Sequence, residues 1–307
     1  KDGDIVIADT AEDEAVGKCT ELQRIGINKV VAGLHTIPLR PTERYAPGFL
    51  GHYLNSDAYH SQLKPLMQGI KVISISHTAL AETRMTIPSF DEQRQIGALF
   101  SQLDTLITLH QRKYEKLSVL KKSLLEKMFP REGENKPEVR FAGFTDPWEQ
   151  RKLGDAGSTY GGLSGKTKED FGHGDARFVP YTNVFDNPVT DTNRLEAVEI
   201  DFSQNEVKYG DAFFTVSSET PEEVGMSSVW LSEQENVYLN SFCFGFRQNR
   251  TFDPFYLAYM LRSSSVRSDL TLLAQGISRF NISKNKVMEL SVPVPAIGEQ
   301  KLIGQYF

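Results

Sequence analysis

The chain of 307 residues is long enough for two domains, and its 39% hydrophobic and 24% charged residues are typical of a soluble globular protein. Its net charge of −6 argues against a protein that coats nucleic acid through bulk electrostatics, although a local basic surface remains possible. No run of 18 apolar residues predicts a membrane-spanning helix, and Cys19 and Cys243 are too few for a disulfide framework. We therefore expect a reduced, cytoplasmic setting.

A first domain and a long helix are predicted in the first part of the chain. Residues 1–90 mix strand-like runs with short helical runs. In residues 91–128, the seam positions are spaced alternately by three and four residues over more than four heptads, as in a coiled coil. Pro130 ends this pattern, so we predict a spacer helix at residues 91–130, of which residues 91–128 would span about 57 Å at 1.5 Å per residue. The seam positions are Phe100, Leu103, Ile107, His110, Tyr114, Leu117, Lys121, Leu124 and Met128.

A linker and a second mixed domain follow the long helix. Residues 131–147 contain the Gly and Pro residues that are typical of a linker. Residues 148–295 form the second predicted domain, and residues 296–307 begin a second spacer helix. Asp253 and Pro254 predict the start of a helix at residues 255–262. Strands are predicted at residues 178–184, 212–216, 240–247 and 292–295, and at residues 87–88 in the first domain.

A duplication with an offset of 207 residues relates the two domains. Residues 46–100 align without gaps with residues 253–307, and 19 of these 55 positions are identical. The identities include Gln68-Gly69-Ile70, which recurs as Gln275-Gly276-Ile277. By contrast, residues 5–45 differ almost entirely from their counterparts. Either these residues are loops that have drifted, or two copies of one mixed α/β scaffold hold different recognition surfaces.

No catalytic or metal-binding signature is recognised in the sequence. The glycine-rich segment at residues 161–167 fails as a phosphate-binding loop because Tyr160 stands where the pattern requires glycine. This segment is either a plain surface loop or a basic loop that contacts DNA phosphates. The six histidines and two distant cysteines lack the spacing of a metal site. The basic run on the long helix is either a solvated face or a surface for DNA or an acidic partner.

The two domains end in similar stretches of sequence. In each stretch, a proline precedes a predicted helix that opens with Glu-Gln. Residues 87–97 read Ile-Pro-Ser-Phe-Asp-Glu-Gln-Arg-Gln-Ile-Gly, and residues 292–304 read Val-Pro-Val-Pro-Ala-Ile-Gly-Glu-Gln-Lys-Leu-Ile-Gly. With a helix end at residues 117–129 and a domain entry at residues 139–155, they resemble the specificity subunit of type I restriction-modification systems. The resemblance covers essentially the whole chain, and this combination is very specific.

The resemblance implies two mixed α/β target-recognition domains, separated by long helices that form an antiparallel coiled coil. Each domain would read one half of a bipartite site in double-stranded DNA, and the helices would fix the unread gap. The subunit would be non-catalytic and would dock adenine-specific DNA methyltransferase subunits and ATP-dependent restriction subunits. S-adenosylmethionine, ATP and magnesium would belong to those partners, and no membrane partner is expected.

The candidate DNA contacts lie in polar segments of both domains. The Gln-Gly-Ile motif is common to the domains, but residues 278–281 differ from residues 71–74, as expected for readers of different half-sites. Arginine can pair bidentately with guanine, and asparagine or glutamine with adenine. The candidates in the second domain are Ser164, Lys166, Lys168, Arg177, Tyr181, Asn183, Ser217, Ser218, Asn240, Ser241, Gln275, Ser278, Arg279 and Asn281. Those in the first domain are Gln68, Lys71 and Ser74.

Two other functions stay open at this point: a DNA methyltransferase or nuclease with unrecognised motifs, and a coiled-coil scaffold that does not bind DNA. The duplication also predicts that the chain alone is not a complete reader. The first domain has no counterpart of residues 148–207, and the second helix has none of the residues from 101 onward. We expect either a fragment of a longer chain or missing parts supplied by another copy, which light scattering would test.

Overall fold

The computed structural model describes residues 1–12 and 15–307, and the chain divides into two compact units. Unit 1 comprises Lys1–Lys116 and unit 2 comprises Leu117–Phe307. Each unit has its own buried apolar core, and both mix helices with strands as predicted. The boundary between the units falls inside the long helix, so each unit includes part of that helix.

Unit 1 combines short strands and short helices ahead of the long helix. The strands are β1 (Ile5–Ala8), β2 (Thr10–Ala11), β3 (Cys19–Glu21), β4 (Thr36–Leu39) and β5 (Ile73–Ser74). The helices are α1 (Phe49–Asn55), α2 (Asp57–Leu63) and α3 (His77–Ala81), and a 3-10 turn covers Lys64–Leu66. β1 pairs antiparallel with β3 and β4, and β2 pairs with β5 in a separate ribbon. Ile5 and Ile7 alternate with half-buried neighbours, so β1 contributes one apolar face to the core of this unit.

The long helix α4 (Phe90–Lys127) confirms the predicted spacer helix in length and position. Its seam is solvent-exposed along most of its length, including Phe100, Leu103, Ile107 and Leu117. The helix ends where the next residues, Met128 and Phe129, enter the core of unit 2. Among residues 1–12 and 15–307, no helix is both long enough and apolar enough to cross a membrane.

Unit 2 continues from the end of α4. Its strands are β6 (Glu149–Lys152), β7 (Gly157–Gly161), β8 (Phe171–Val179), β9 (Glu196–Val198), β10 (Ala212–Thr215), β11 (Ser217–Ser218), β12 (Ser227–Val229), β13 (Val237–Leu239), β14 (Cys243–Gln248), β15 (Phe280–Asn281) and β16 (Ser291–Val294). Its helices are α5 (Tyr181–Asp186), α6 (Pro254–Met260), α7 (Ser264–Leu272), α8 (Lys284–Met288) and α9 (Ile297–Tyr306). Its 3-10 turns are Leu153–Ala156, Lys168–Asp170, Thr192–Arg194 and Pro221–Glu223.

Two sheets and two ribbons make up the β-structure of unit 2. One sheet is antiparallel in the order β12-β10-β14-β7, and the other has the order β13-β8-β9 with β13 parallel to β8. The ribbons pair β11 with β15 and β16 with β6. The central strand β10 places Phe213 in one core cluster and Phe214 in another, so both faces of this sheet are covered.

The duplication in the sequence is also a duplication in the structure. β1 lies between β3 and β4 as β10 lies between β12 and β14, at the same offset or one residue from it. Asp4 accepts two hydrogen bonds from Arg40, and Asp211 accepts two from Arg247, which lie at equivalent positions. One scaffold therefore occurs twice, and β6, β7, β8, β9 and β13 add to it in unit 2.

The buried glutamine of each Glu-Gln pair explains part of that shared sequence. Gln93 accepts the Ala46 backbone N–H and donates to the Pro88 carbonyl oxygen at 3.0 Å. Gln300 makes the equivalent contacts, accepting from Asp253 and donating to Pro295 at 2.9 Å. The Glu-Gln motif therefore fixes the start of each following helix to the domain before it.

Two local predictions are wrong. Residues 178–184 are not one strand, because β8 ends at Val179 and Pro180, which has no N–H to donate, precedes helix α5. Residues 87–88 are not a strand: β16 has β6 as its partner, whereas no strand is assigned beside residues 87–88 in the described part of unit 1. Residues 131–147 contain no helix or strand; within them, Phe141 packs against the core of unit 2 and Arg140 binds Glu299.

Candidate nucleic-acid interface

Two loops of unit 2 meet beside β11, at the end of β10. Ser217 in β11 pairs with Asn281 in β15. Just before β11, the Val216 N–H donates to the Phe242 carbonyl oxygen at 3.0 Å, and the Ile282 N–H donates to the Val216 carbonyl oxygen at 2.9 Å. The loops at residues 240–242 and 275–281 thus lie on either side of residues 216–218, and these three segments are called the recognition surface of unit 2.

The hairpin at residues 275–281 is closed by backbone atoms. Gln275 and Asn281 exchange N–H to carbonyl bonds of 2.9 and 2.8 Å. Gly276 has a φ of +143°, and a Cβ there would lie 2.0 Å from the Arg279 carbonyl oxygen, so this position requires glycine. Gln275, Ser278, Arg279 and Asn281 are exposed, and in the described residues no hydrogen bond or ion pair engages the side chains of Ser278, Arg279 or Asn281. Three exposed polar side chains of different chemistry at this hairpin are therefore available to a ligand.

Unit 1 contains the same hairpin frame at the predicted positions. Gln68 and Ser74 exchange backbone bonds of 2.9 and 2.8 Å, and Thr10 in β2 pairs with Ser74 as Ser217 pairs with Asn281. Gly69 has a φ of +124°, and a Cβ there would lie 1.9 Å from the Val72 carbonyl oxygen. Lys71 is exposed at the tip. The three candidate residues of the first domain therefore lie on one hairpin, which is the recognition surface of unit 1.

Tyr181 lies at the edge of the recognition surface of unit 2. Its hydroxyl donates to the Ser217 carbonyl oxygen at 2.7 Å, which fixes the ring beside β11. Burial raises the pKa of the Tyr181 phenol, and the Arg279 guanidinium is close enough to act in the opposite direction. The half-buried ring thus supports the surface, and Arg279 lies near it.

The prediction for Asn183 is corrected by its burial. The residue is 0% exposed, and its amide donates to the carbonyl oxygens of Asp191 and Arg194. Its side-chain oxygen accepts the Asp191 backbone N–H at 3.0 Å. Because its polar atoms are satisfied inside the fold, Asn183 positions the segment after α5 and is not available to a base.

Arg177 and Ser218 also act within the fold. The Arg177 guanidinium donates to the carbonyl oxygens of Gly174 and Ala176, and the side chain is half-buried. Ser218 is buried and donates to the Thr220 carbonyl oxygen. Polar atoms of both side chains are therefore engaged within the fold.

The loop after β7 reaches the recognition surface at one end only. A Cβ at Gly162 would lie 2.1 Å from the Asn240 carbonyl oxygen, so the chain passes directly beside that loop. Lys166 is engaged by Asp201 at 2.8 Å, and this ammonium group holds the pKa of the Asp201 carboxyl well below its usual range. Lys168 is exposed. Of the two lysines predicted to contact phosphates, only Lys168 presents its charge to solvent.

Of the remaining candidates, Ser164 and Asn240 stabilise their loops, whereas Ser241 is exposed to solvent. Ser164 binds Gln204 through its backbone, with its N–H donating to the Gln204 side-chain oxygen at 3.0 Å. The Asn240 side-chain oxygen accepts the Phe242 N–H at 2.8 Å and so closes the turn between them. Ser241, at the middle of that turn, is exposed.

Two apolar residues on the recognition surface of unit 2 were missed from sequence. Phe242 and Ile277 are exposed beside the polar candidates. Neither residue has a side chain that can form a hydrogen bond with a base, and so neither was among the predicted contacts. The isoleucine that recurs in both Gln-Gly-Ile motifs is the signal in the sequence that could have indicated Ile277.

Within residues 1–12 and 15–307, no group of three or more histidine, cysteine or acidic side chains is placed to hold a metal ion. Both cysteines are thiols, and burial raises the pKa of Cys19 to about 11. The chemistry that the surfaces offer is therefore hydrogen bonding, positive charge and apolar contact.

Known proteins resemble the chain in sequence and in fold. Residues 3–119 match the family model described as the type I restriction modification DNA specificity domain. A protein of Methanocaldococcus jannaschii, named as the specificity subunit of the type I restriction enzyme MjaX, is 22% identical over 318 aligned residues. These cover 99% of this chain and 70% of that protein.

Two solved structures share the fold along the whole chain. A chain from a study of complex assembly and conformational transition of the type I R-M system has a TM-score of 0.58 at 19% identity, covering 100% of this chain and 73% of its own. The HsdS subunit from Thermoanaerobacter tengcongensis has a TM-score of 0.51 at 20% identity, covering 100% and 72%. The mixed α/β architecture with its long helix is therefore a fold that these two solved structures share.

Proposed function

Because residues 3–119 match the type I restriction modification DNA specificity domain, we propose that the chain is a specificity subunit and that unit 1 and unit 2 each read one half of a bipartite DNA target. The observation that carries the proposal is one hairpin frame with two sets of side chains. The frames at residues 68–74 and 275–281 have the same backbone bonds and the same glycine with a positive φ. Lys71 and Val72 stand at the tip in unit 1, where Ser278 and Arg279 stand in unit 2.

The family is non-catalytic in general, so the chemistry is proposed to come from partners. We propose that the chain docks adenine methyltransferase subunits and ATP-dependent restriction subunits in the cytoplasm. S-adenosylmethionine, ATP and magnesium would then serve those subunits. The exposed seam of α4 supports a role for this helix in fixing the unread gap, because an apolar seam of this period fits a partner helix.

Mapping methylated adenines genome-wide, in cells with and without this gene, tests the proposal. We expect a two-part sequence with a fixed gap to be methylated only in cells that carry the gene. Methylation by the isolated chain would indicate an unrecognised methyltransferase instead. An unchanged methylation pattern, with no sequence-specific DNA binding by the assembled complex, would leave a scaffold that does not read DNA.

Replacing Arg279 with alanine should weaken binding to the unit 2 half-site by about 1–3 kcal/mol and relax specificity at one base pair. The reason is that Arg279 is an exposed, unpaired guanidinium at the hairpin tip, where bidentate contact with guanine is possible. Competition binding with duplexes varied at each position measures the effect. Arg250→Ala, beyond the opposite end of β14, is the matched control, and an equal loss on target and random DNA would make Arg279 a phosphate contact.

A further inference from the structure

Each recognition surface presents an isoleucine that contributes nothing to a core. Ile70 is 99% exposed and Ile277 is 94% exposed. Both follow the positive-φ glycine of their hairpin, at equivalent positions of the duplication. An isolated exposed apolar residue is common on protein surfaces. The same fully exposed residue on the same tip of two otherwise diverged loops is better explained by a ligand that both tips contact.

The backbone holds both isoleucines in place. In each hairpin the residue before the glycine and the residue that closes the loop exchange two backbone hydrogen bonds of 2.8 to 2.9 Å. The partly buried residues Ile73 and Phe280 pack against their respective cores and fix the returning strand. The isoleucine is thus presented by an anchored turn, which lowers the entropy lost when it is buried by a ligand.

The charge around the tips indicates the class of ligand. Lys71 follows Ile70 directly, and Arg279 lies two residues after Ile277. Neither hairpin contains an acidic residue, although the chain as a whole carries a net charge of −6. A cation and an aliphatic side chain within two residues suit a ligand that is anionic on its surface and apolar inside. Duplex DNA has this arrangement, with phosphates on its surface and stacked bases within.

A second exposed apolar residue stands beside each hairpin. Leu34 in unit 1 is 97% exposed, and Phe242 in unit 2 is 63% exposed. In each unit, one residue links this loop to the hairpin through its backbone. In unit 1, the Asp9 N–H donates to the His35 carbonyl oxygen, and the Asp9 carbonyl oxygen accepts from the Ile75 N–H. In unit 2, Val216 makes the same two bonds, with Phe242 and Ile282. Each unit therefore offers apolar side chains from two joined loops, which enlarges the area that bases can cover.

We propose that Ile70 and Ile277 are apolar wedges that enter the base stack, one in each half-site. The contact does not depend on the half-site sequence, because the isoleucine is common to both units while the residues after it differ. Apolar side chains that enter between base steps unstack them and allow a bent duplex to contact more protein. This inference rests on the proposed reading of DNA by both units.

The test measures unstacking with 2-aminopurine. The probe is a duplex with the target found by methylation mapping, in which 2-aminopurine replaces each purine of the unit 2 half-site in turn. The adenine that is methylated is left unchanged, so that its extrusion by the methyltransferase is not measured. With the chain assembled with its methyltransferase, we expect a fluorescence increase at one step. Ile277→Ala should abolish this increase and lower affinity about tenfold, as expected for losing most of a buried aliphatic side chain.

Two further variants make the result specific. Ile277→Leu should retain most of the fluorescence increase, because it keeps the apolar volume. Val119→Ala, at an exposed apolar position on α4 away from the hairpin, should change neither fluorescence nor affinity. In a second series of duplexes with 2-aminopurine in the unit 1 half-site, Ile70→Ala should abolish the increase, whereas Ile277→Ala should not.

The outcomes separate this inference from the proposed function. If the intact complex binds the target without an increase at any position, or if Ile277→Ala retains it, the wedge is wrong while the reading of DNA stands. If Ile277→Ala instead weakens capture of the methyltransferase in the absence of DNA, the isoleucine binds a protein partner and the wedge is again wrong. If the intact complex binds no target, the proposed function itself has failed.

Discussion

Replacing Arg140 with alanine should destabilise unit 2 by about 3–5 kcal/mol, because it leaves a buried carboxylate without its partner. Glu299 is 0% exposed, and both of its oxygens accept from Arg140, at 2.6 and 2.8 Å. The same bonds raise the pKa of the Arg140 guanidinium. Urea unfolding followed by tryptophan fluorescence measures the effect. Both tryptophans of the chain, Trp148 and Trp230, belong to unit 2, so the signal reports on that unit.

The duplication supplies a matched control for this ion pair. Glu92 occupies the equivalent position in unit 1, where it is exposed, and Glu92→Gln should change the stability of unit 1 by less than about 0.5 kcal/mol. Because unit 1 contains no tryptophan, circular dichroism follows the unfolding of this variant. Replacing Arg140 and Glu299 together with apolar residues should recover much of the loss, since no charge is then buried alone. If Arg140→Ala unfolds at the same urea concentration as the intact chain, the pair does not contribute as described.

Inserting four residues after Lys113 should lengthen the unread gap in the methylated DNA by about two base pairs. The insertion adds about 6 Å to α4 and turns the following seam by only about 40°. Residues 111–113 are exposed, so the added turn disturbs neither core. Methylation mapping in cells that express the variant measures the gap, and both half-sites should keep their sequences.

A deletion and a loop insertion complete the test of the helix. Deleting seven residues of the exposed section keeps the heptad phase and should shorten the gap by about three base pairs. Inserting four residues at Gln234, in an exposed loop of unit 2, should leave the gap unchanged. Methylated sites with the original gap in both helix variants would show that α4 does not set it.

Local signals in the sequence were sufficient for much of the fold. Asp253 was predicted to start a helix, and its side chain accepts the N–H groups of Phe255 and Tyr256 at the start of α6. The heptad spacing predicted α4, and the offset of 207 residues predicted two copies of one scaffold. These features depend on residues close in sequence, or on a comparison of the chain with itself.

The errors arose at residues whose polar groups are already engaged by other residues of the folded chain. Asn183 has a side chain suited to a base, but the carbonyl groups of Asp191 and Arg194 already occupy it. Lys166 lies in a basic loop, but Asp201, 35 residues later, neutralises it. Residue type indicated what each group can bind, whereas only the folded chain shows what it already binds. The other candidate contacts remain predictions.

The closure of the two hairpins by backbone atoms also bears on how such a protein changes over generations. Because the frame needs only a glycine and main-chain hydrogen bonds, mutations at Lys71 and Val72, or at Ser278 and Arg279, leave the folding free energy of either unit nearly untouched. A lineage can therefore sample new tip chemistries without passing through unstable intermediates. Since each unit carries its own frame, one tip can diverge while the other is inherited unchanged.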